Sequence, residues 1–88
     1  MENIFMDISL ILSRLSPTWS QEPGRTNTVR TPYKKGYLSL SWYTLPSNKT
    51  NFVLEVLADN NTLKDQYYFH SFDECLEQAQ KMLSSDFC

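Results

Sequence analysis

The side chains that could support acid–base or metal chemistry lie in one short stretch near the C-terminal end. His70 is the only histidine, and Asp73, Glu74 and Glu77 follow it within two helical turns. Histidine with carboxylates is the set that general acid–base catalysis and zinc sites use. A zinc site would need further ligands at spacings that this sequence lacks, and Glu74 occupies a helix-capping position. We therefore expect His70 to be an ordinary polar residue at a strand end.

The cysteines and glycines add no further chemistry. Cys75 falls at an apolar position of a predicted helix, and Cys88 is the last residue. A disulfide between them would pull the tail back across its own helix, so we expect two free thiols. With only Gly24 and Gly36, the chain has no glycine-rich phosphate loop. The sequence thus predicts neither an enzyme nor a metal or cofactor site.

Aromatic and charged side chains are the better candidates for function. Tyrosine and arginine dominate the hot spots of protein interfaces, and exposed aromatic rings can also stack on unpaired bases. Four cations and no acid lie between residues 25 and 35, whereas residues 53–88 carry seven acids and two lysines. We predict that the partner-binding residues are Arg30, Lys34, Lys35, Tyr37, Tyr43, Glu55 and Tyr68.

Three stretches between residues 36 and 71 position most of these side chains. Leu38, Leu40 and Trp42 alternate with tyrosines and serines, and successive strand side chains point to opposite faces of a sheet. Similar alternation follows over residues 51–59 and 66–70, separated by turns rich in Asn and Pro. The pattern predicts a three-stranded antiparallel β-meander over residues 36–71.

One helix is predicted before these strands in the chain and one after them. Ser71-Phe72-Asp73-Glu74 matches a capping box, so a helix over 72–84 begins there and packs its apolar face on the sheet. Apolar residues within 1–16 also recur at helical spacing, and Pro17 ends that element. Together these elements predict a single small α+β domain over residues 1–88.

Residues 17–35 are predicted to form a long loop, because Pro17, Pro23, Gly24 and Pro32 interrupt any regular pattern. Trp19 is expected to pin this loop to the core. The segment 26–30 is a candidate for a short extra strand at a sheet edge.

The second face of the sheet allows two interpretations. Tyr37, Tyr43 and Tyr68 alternate with the core residues and therefore point away from them, together with Val53 and Leu57. If both helices cover the core side, these residues form an exposed interaction surface. If the N-terminal helix covers them instead, they form a second core layer.

Composition limits the class of protein. The net charge is −2 and the pI is near 5.2, which argues against a general polyanion binder. Glu2 and Asp7 stand where a signal peptide would carry cations, and no apolar run is long enough to span a bilayer. These features predict a cytoplasmic protein with no membrane association.

Three strands followed by a helix that opens Ser-Phe-Asp-Glu-Cys-Leu resemble, over residues 36–83, the sheet-reading DNA-binding domains of some integrases and AP2-type plant factors. The resemblance implies nucleic-acid binding through the aromatic sheet face and the basic 25–35 loop. The strands lack the arginines of those domains, since Lys49 is the only cation between Gly36 and Leu63.

The small size, acidity and absence of catalytic groups are similar to those of small inhibitors encoded by phages and other mobile elements, including anti-CRISPR proteins. This similarity is one of class and not of motif. We therefore predict a non-enzymatic binding protein, an inhibitor or adaptor that acts through a protein partner. Nucleic-acid binding is the alternative, and a homodimer also stays open.

Overall fold

The computed structural model describes residues 8–86, which form a five-stranded antiparallel sheet and two helices. The elements are α1 (Ile8–Ser13), β1 (Ser20–Gln21), β2 (Thr28–Tyr33), β3 (Gly36–Thr44), β4 (Thr50–Leu57), β5 (Leu63–Phe69) and α2 (Phe72–Asp86). The strands lie in the order β1-β2-β3-β4-β5. Neither helix of the described chain is long and apolar enough to cross a membrane.

The α+β class, the antiparallel sheet and the C-terminal helix were predicted correctly, but the sheet has five strands and not three. The predicted N-terminal helix over 1–16 is described only from residue 8, where it is the short helix α1. Its first seven residues and the predicted free thiol of Cys88 lie outside the described residues.

The two additional strands lie in the stretch that was predicted to be a loop. The strand predicted over residues 26–30 exists as β2, but it has six residues and pairs with β3 on one side and β1 on the other. Val29, Thr31 and Tyr33 alternate toward the core, which is the strand signal that the surrounding prolines obscure. Pro32 is tolerated because β1 pairs with β2 only as far as Arg30. Opposite Pro32, β2 therefore has a neighbouring strand only in β3.

The hairpin turns use the residues that the sequence indicates. Asn48 and Asn61 adopt positive φ angles of 68° and 67°, a conformation that Asn tolerates better than most residues. The side-chain oxygen of Asn60 accepts a hydrogen bond from the Thr62 backbone N–H at 3.1 Å. At the start of α2, Ser71 Oγ accepts one from the Glu74 backbone N–H at 3.4 Å, which supports the predicted cap.

One apolar core lies between the sheet and both helices. Leu38, Leu40 and Leu54 are fully buried, and Ile11 of α1 and Cys75 of α2 belong to the same cluster. Helix α1 packs against β1 and β2, and α2 packs against β4 and β5. Both helices therefore cover one side of the sheet, and no described element covers the other side.

Arg14 ties the end of α1 to the first turn of α2. Its Nη2 lies 2.7 Å from Asp73 Oδ1, and its guanidinium lies 4.7 Å from the Phe72 ring centroid. Both charged side chains are largely exposed, so the ion pair contributes only about 0.2–1 kcal/mol. The contact is therefore a minor contribution to the packing of α1 beside α2.

Candidate functional site

The side of the sheet opposite the helices, here called the open face, carries side chains in rows that the strand register sets. The charged row contains Arg30, Ser39, Glu55 and Gln66 on β2 to β5. The hydroxyl row contains Thr28, Ser41, Val53 and Tyr68. The apolar row contains Pro32, Tyr37, Leu57 and Leu63.

Differences in side-chain length make the open face concave. Its floor is formed by short side chains, so that Ser39, Thr28 and Val53 are buried although neither described helix covers them. Longer side chains rise on both sides, and together they enclose a shallow concavity of about 610 Å³. The walls are Glu22 and Arg25 on the β1 side and Glu55, Gln66 and Tyr68 on the β5 side. A partner group can therefore enter almost to the depth of the backbone.

Two tyrosines stand exposed on this face. Tyr68 is 63% exposed and Tyr43 is 42% exposed. The Tyr68 hydroxyl donates a hydrogen bond to Gln66 Oε1 at 3.0 Å, and Asn51 Nδ2 donates one to the Tyr43 hydroxyl at 3.4 Å. Because these bonds already restrict both rings, less conformational entropy is lost when a partner packs on them.

The charged row holds a cation and an anion that do not meet. The Arg30 guanidinium lies 4.7 Å from the Tyr37 ring centroid, and Glu55 Oε2 accepts a hydrogen bond from Gln66 Nε2 at 2.7 Å. Since Ser39 separates them, their strands are about 9–10 Å apart. Within residues 8–86 neither Arg30 nor Glu55 forms an ion pair, so both charges can bind an incoming group.

His70, the residue with the widest chemical range, lies just beyond the end of β5 and is exposed. Its Nδ1 is 3.1 Å from Asn51 Oδ1, so it joins the polar contacts beside Tyr43. No group of three or more metal-ligating side chains occurs in the described part of the chain.

The thiol of Cys75 is buried in the core on the other side of the sheet. Burial raises its pKa to about 12 because the thiolate would lose its hydration. At neutral pH it is therefore a protonated packing group and not a nucleophile.

The structure brings together five of the seven predicted partner-binding residues, namely Arg30, Tyr37, Tyr43, Glu55 and Tyr68. The other two, Lys34 and Lys35, form the β2–β3 turn. The Lys34 ammonium lies 5.3 Å from the centroid of Tyr33, a core residue, so it is on the helix side of the sheet. The cations of residues 25–35 thus do not form one basic patch.

Several residues of the concavity were not among the predicted contacts, chiefly Glu22, Arg25, Ser39, Ser41 and Gln66. Ser39 and Ser41 alternate with core residues of β3, so their position was readable from the sequence. Glu22 and Arg25 were not, because β1 is too short to give a local signal and is formed by its pairing with β2.

No protein-family model, curated protein or solved structure matches this chain. Any indication of function therefore comes from the site itself.

Proposed function

We propose that this chain is a non-enzymatic binding protein whose open face receives a protein partner. The observation that carries the proposal is the exposure of Tyr68 and Tyr43 beside the charges of Arg30 and Glu55, which form no ion pair within residues 8–86. Tyrosine and arginine are enriched among residues that dominate binding energy, and charges of both signs confer specificity on an interface.

The concave shape supports action as an inhibitor or adaptor, such as the small anti-defence proteins that phages encode. A domain of this size needs only to cover a functional surface of a larger partner. The open face offers aromatic anchors in its walls and hydroxyl groups in its floor, and neither requires the fold to rearrange.

Nucleic-acid binding is less well supported. A phosphate backbone needs a surface of one sign, but Glu22 and Glu55 stand beside Arg25 and Arg30 in the same concavity. Lys34 lies on the other side of the sheet, away from any strand bound here. Stacking of single-stranded bases on Tyr43 and Tyr68 is the alternative, and a nucleic-acid titration distinguishes it from protein binding.

Affinity capture with matched variants tests the proposal. The wild type, a Tyr43→Ala/Tyr68→Ala double variant and a Leu10→Ala control are immobilised and exposed to nuclease-treated extract of the source cell. Leu10 is an exposed apolar residue of α1, on the helix side. We expect a protein that the wild type and the control retain and the double variant loses. Equal retention by all three would refute the proposal.

A titration with single-stranded and double-stranded DNA and RNA distinguishes protein binding from nucleic-acid binding. The proposal predicts no binding that depends steeply on salt. Micromolar binding that weakens steeply with salt, and weakens further in Arg30→Ala, would instead assign the open face to nucleic acid.

A further inference from the structure

The charged row has opposite charges on either side of its centre. Arg30 on β2 and Glu55 on β4 flank Ser39 on β3, one strand away on each side. A two-fold axis above Ser39 and parallel to β3 would place β2 of one copy over β4 of the other. Residues of one row would keep the same position along the strands. Arg30 would then face Glu55 of the second copy, and this pair would occur twice.

The same rotation matches the other rows. In the hydroxyl row, Thr28 would face Val53 of the second copy, and Tyr68 would face Glu22, whose backbone N–H bonds to the Thr28 carbonyl oxygen beside that row. In the apolar row, Pro32 would face Leu57. The charged and apolar rows thus meet groups of matching chemistry, whereas the hydroxyl row brings Thr28 against the apolar Val53.

A two-fold axis above the charged row but perpendicular to the strands gives the opposite result. It would superimpose the charged row on itself, with Arg30 facing Arg30 and Glu55 facing Glu55 of the second copy. Like charges that face each other across an interface oppose association. Of these two arrangements, the register favours the one with the axis parallel to β3.

The side chains have the reach that such a pairing requires. Stacked sheets lie about 10 Å apart, a gap that Arg and Glu side chains can bridge from opposite sides. Arg30 is held over the Tyr37 ring, and Glu55 is held by Gln66, so both charged groups are already oriented. The exposed ring of Tyr68 rises from one wall and would meet Glu22 on the β1-side wall of the second copy.

We propose that a second copy of this chain occupies the open face, so that the free protein is a two-fold dimer with Arg30 paired to Glu55 across the interface. This inference rests on the proposed function, because it uses the same face as a protein-binding surface. Self-association then regulates the site, since a foreign partner binds only by displacing the second copy.

Charge reversal with sedimentation velocity tests the dimer. Arg30→Glu and Glu55→Arg should each be monomeric, since each reversal affects two symmetric pairs and weakens the dimer at least about a hundredfold. An equimolar mixture of the two variants should dimerise, because every pair across the interface is again opposite in charge. Lys81→Glu and Glu77→Arg, exposed charges on α2, are the matched controls and should behave as wild type.

A wild type that stays monomeric at about 1 mM would overturn the dimer, and so would single variants that dimerise as the wild type does. Circular dichroism confirms that each variant is folded. If a reversal unfolds the chain, Arg30→Gln and Glu55→Gln replace it, and undiminished dimerisation of both would also overturn the proposal. A monomeric wild type that still captures a protein through Tyr43 and Tyr68 would refute the dimer and leave the proposed function standing.

Discussion

Replacement of Tyr68 by alanine should have a small effect on stability, and replacement of Leu40 a large one. Full burial of an aromatic side chain stabilises a fold by about 1.5–3 kcal/mol, but Tyr68 is 63% exposed. With its hydrogen bond to Gln66, we expect Tyr68→Ala to cost about 0.5–1.5 kcal/mol. Leu40 is 0% exposed, and Leu40→Ala should cost about 2–5 kcal/mol through the cavity that it leaves.

Urea denaturation followed by tryptophan fluorescence measures both changes, since Trp19 and Trp42 are buried and report loss of the core. Tyr68→Ala should keep a cooperative transition with a slightly lower midpoint, and Leu40→Ala should lose a large part of the total, which is about 5–15 kcal/mol for a domain. A Tyr68→Ala cost above about 3 kcal/mol would show that the ring belongs to a core, because an exposed ring cannot contribute that much. The open face would then be covered, and the proposed surface would not exist.

Three further predictions concern the fold. Gly36→Ala should destabilise the fold by about 1–3 kcal/mol in thermal unfolding, since a Cβ there would collide with the Leu57 carbonyl oxygen. An unchanged melting temperature would contradict the close approach of β3 and β4. Cys75 should resist alkylation at pH 8 until the chain unfolds, because burial raises its pKa to about 12, and rapid labelling of the folded protein would refute its burial. Since the thiol of the unfolded chain ionises at its ordinary pKa of 9.0, the contribution of Cys75 to the free energy of unfolding falls as the pH rises between these two values. Arg14→Ala should lower the free energy of unfolding by about 0.2–1 kcal/mol, and by less at high salt. A double-mutant cycle with Asp73→Ala measures the coupling energy, and a value above this range would mean that the ion pair is not solvent-exposed.

Local alternation was sufficient to predict the centre of the sheet. Leu38, Leu40 and Trp42 are buried as predicted, and so are Phe52 and Leu54 on the next strand. Each of these sets spans several residues without a break, and a one-residue slip would bring serines or Glu55 into the core. Ser71 gave a similarly local signal for the start of α2.

Strand pairing between distant segments could not be predicted from the local sequence pattern. The strand β2 contains Pro32 and follows a stretch with Pro23 and Gly24, which is the composition of a loop. Its neighbour β1 has only two residues, too few for a period to appear. Both exist because β3 offers an edge on which β2 can pair, a property of the assembled sheet and not of residues 17–35 alone.

The kinds of residue in the candidate site could be predicted from the sequence, but their arrangement on the sheet could not. The tyrosines and Glu55 were assigned to one face by alternation, but the row that joins Arg30, Ser39 and Glu55 depends on the lengths of two turns. Which face the helices cover could not be deduced either, since the segment between α1 and β2 is long enough to reach both. The position of Lys34 on the helix side could not be deduced from the sequence, because a turn residue with a positive φ of 54° directs its side chain independently of the strand pattern.

Residue-specific photo-crosslinking tests most directly whether the open face is the binding surface. A benzophenone amino acid replaces Tyr43 in one variant and Gln80, an exposed residue of α2, in another. We expect crosslinks to a protein, either a foreign partner or a second copy, from position 43 and none from position 80. Crosslinks from position 80 alone, or equally from both positions, would contradict the assignment of function to the open face.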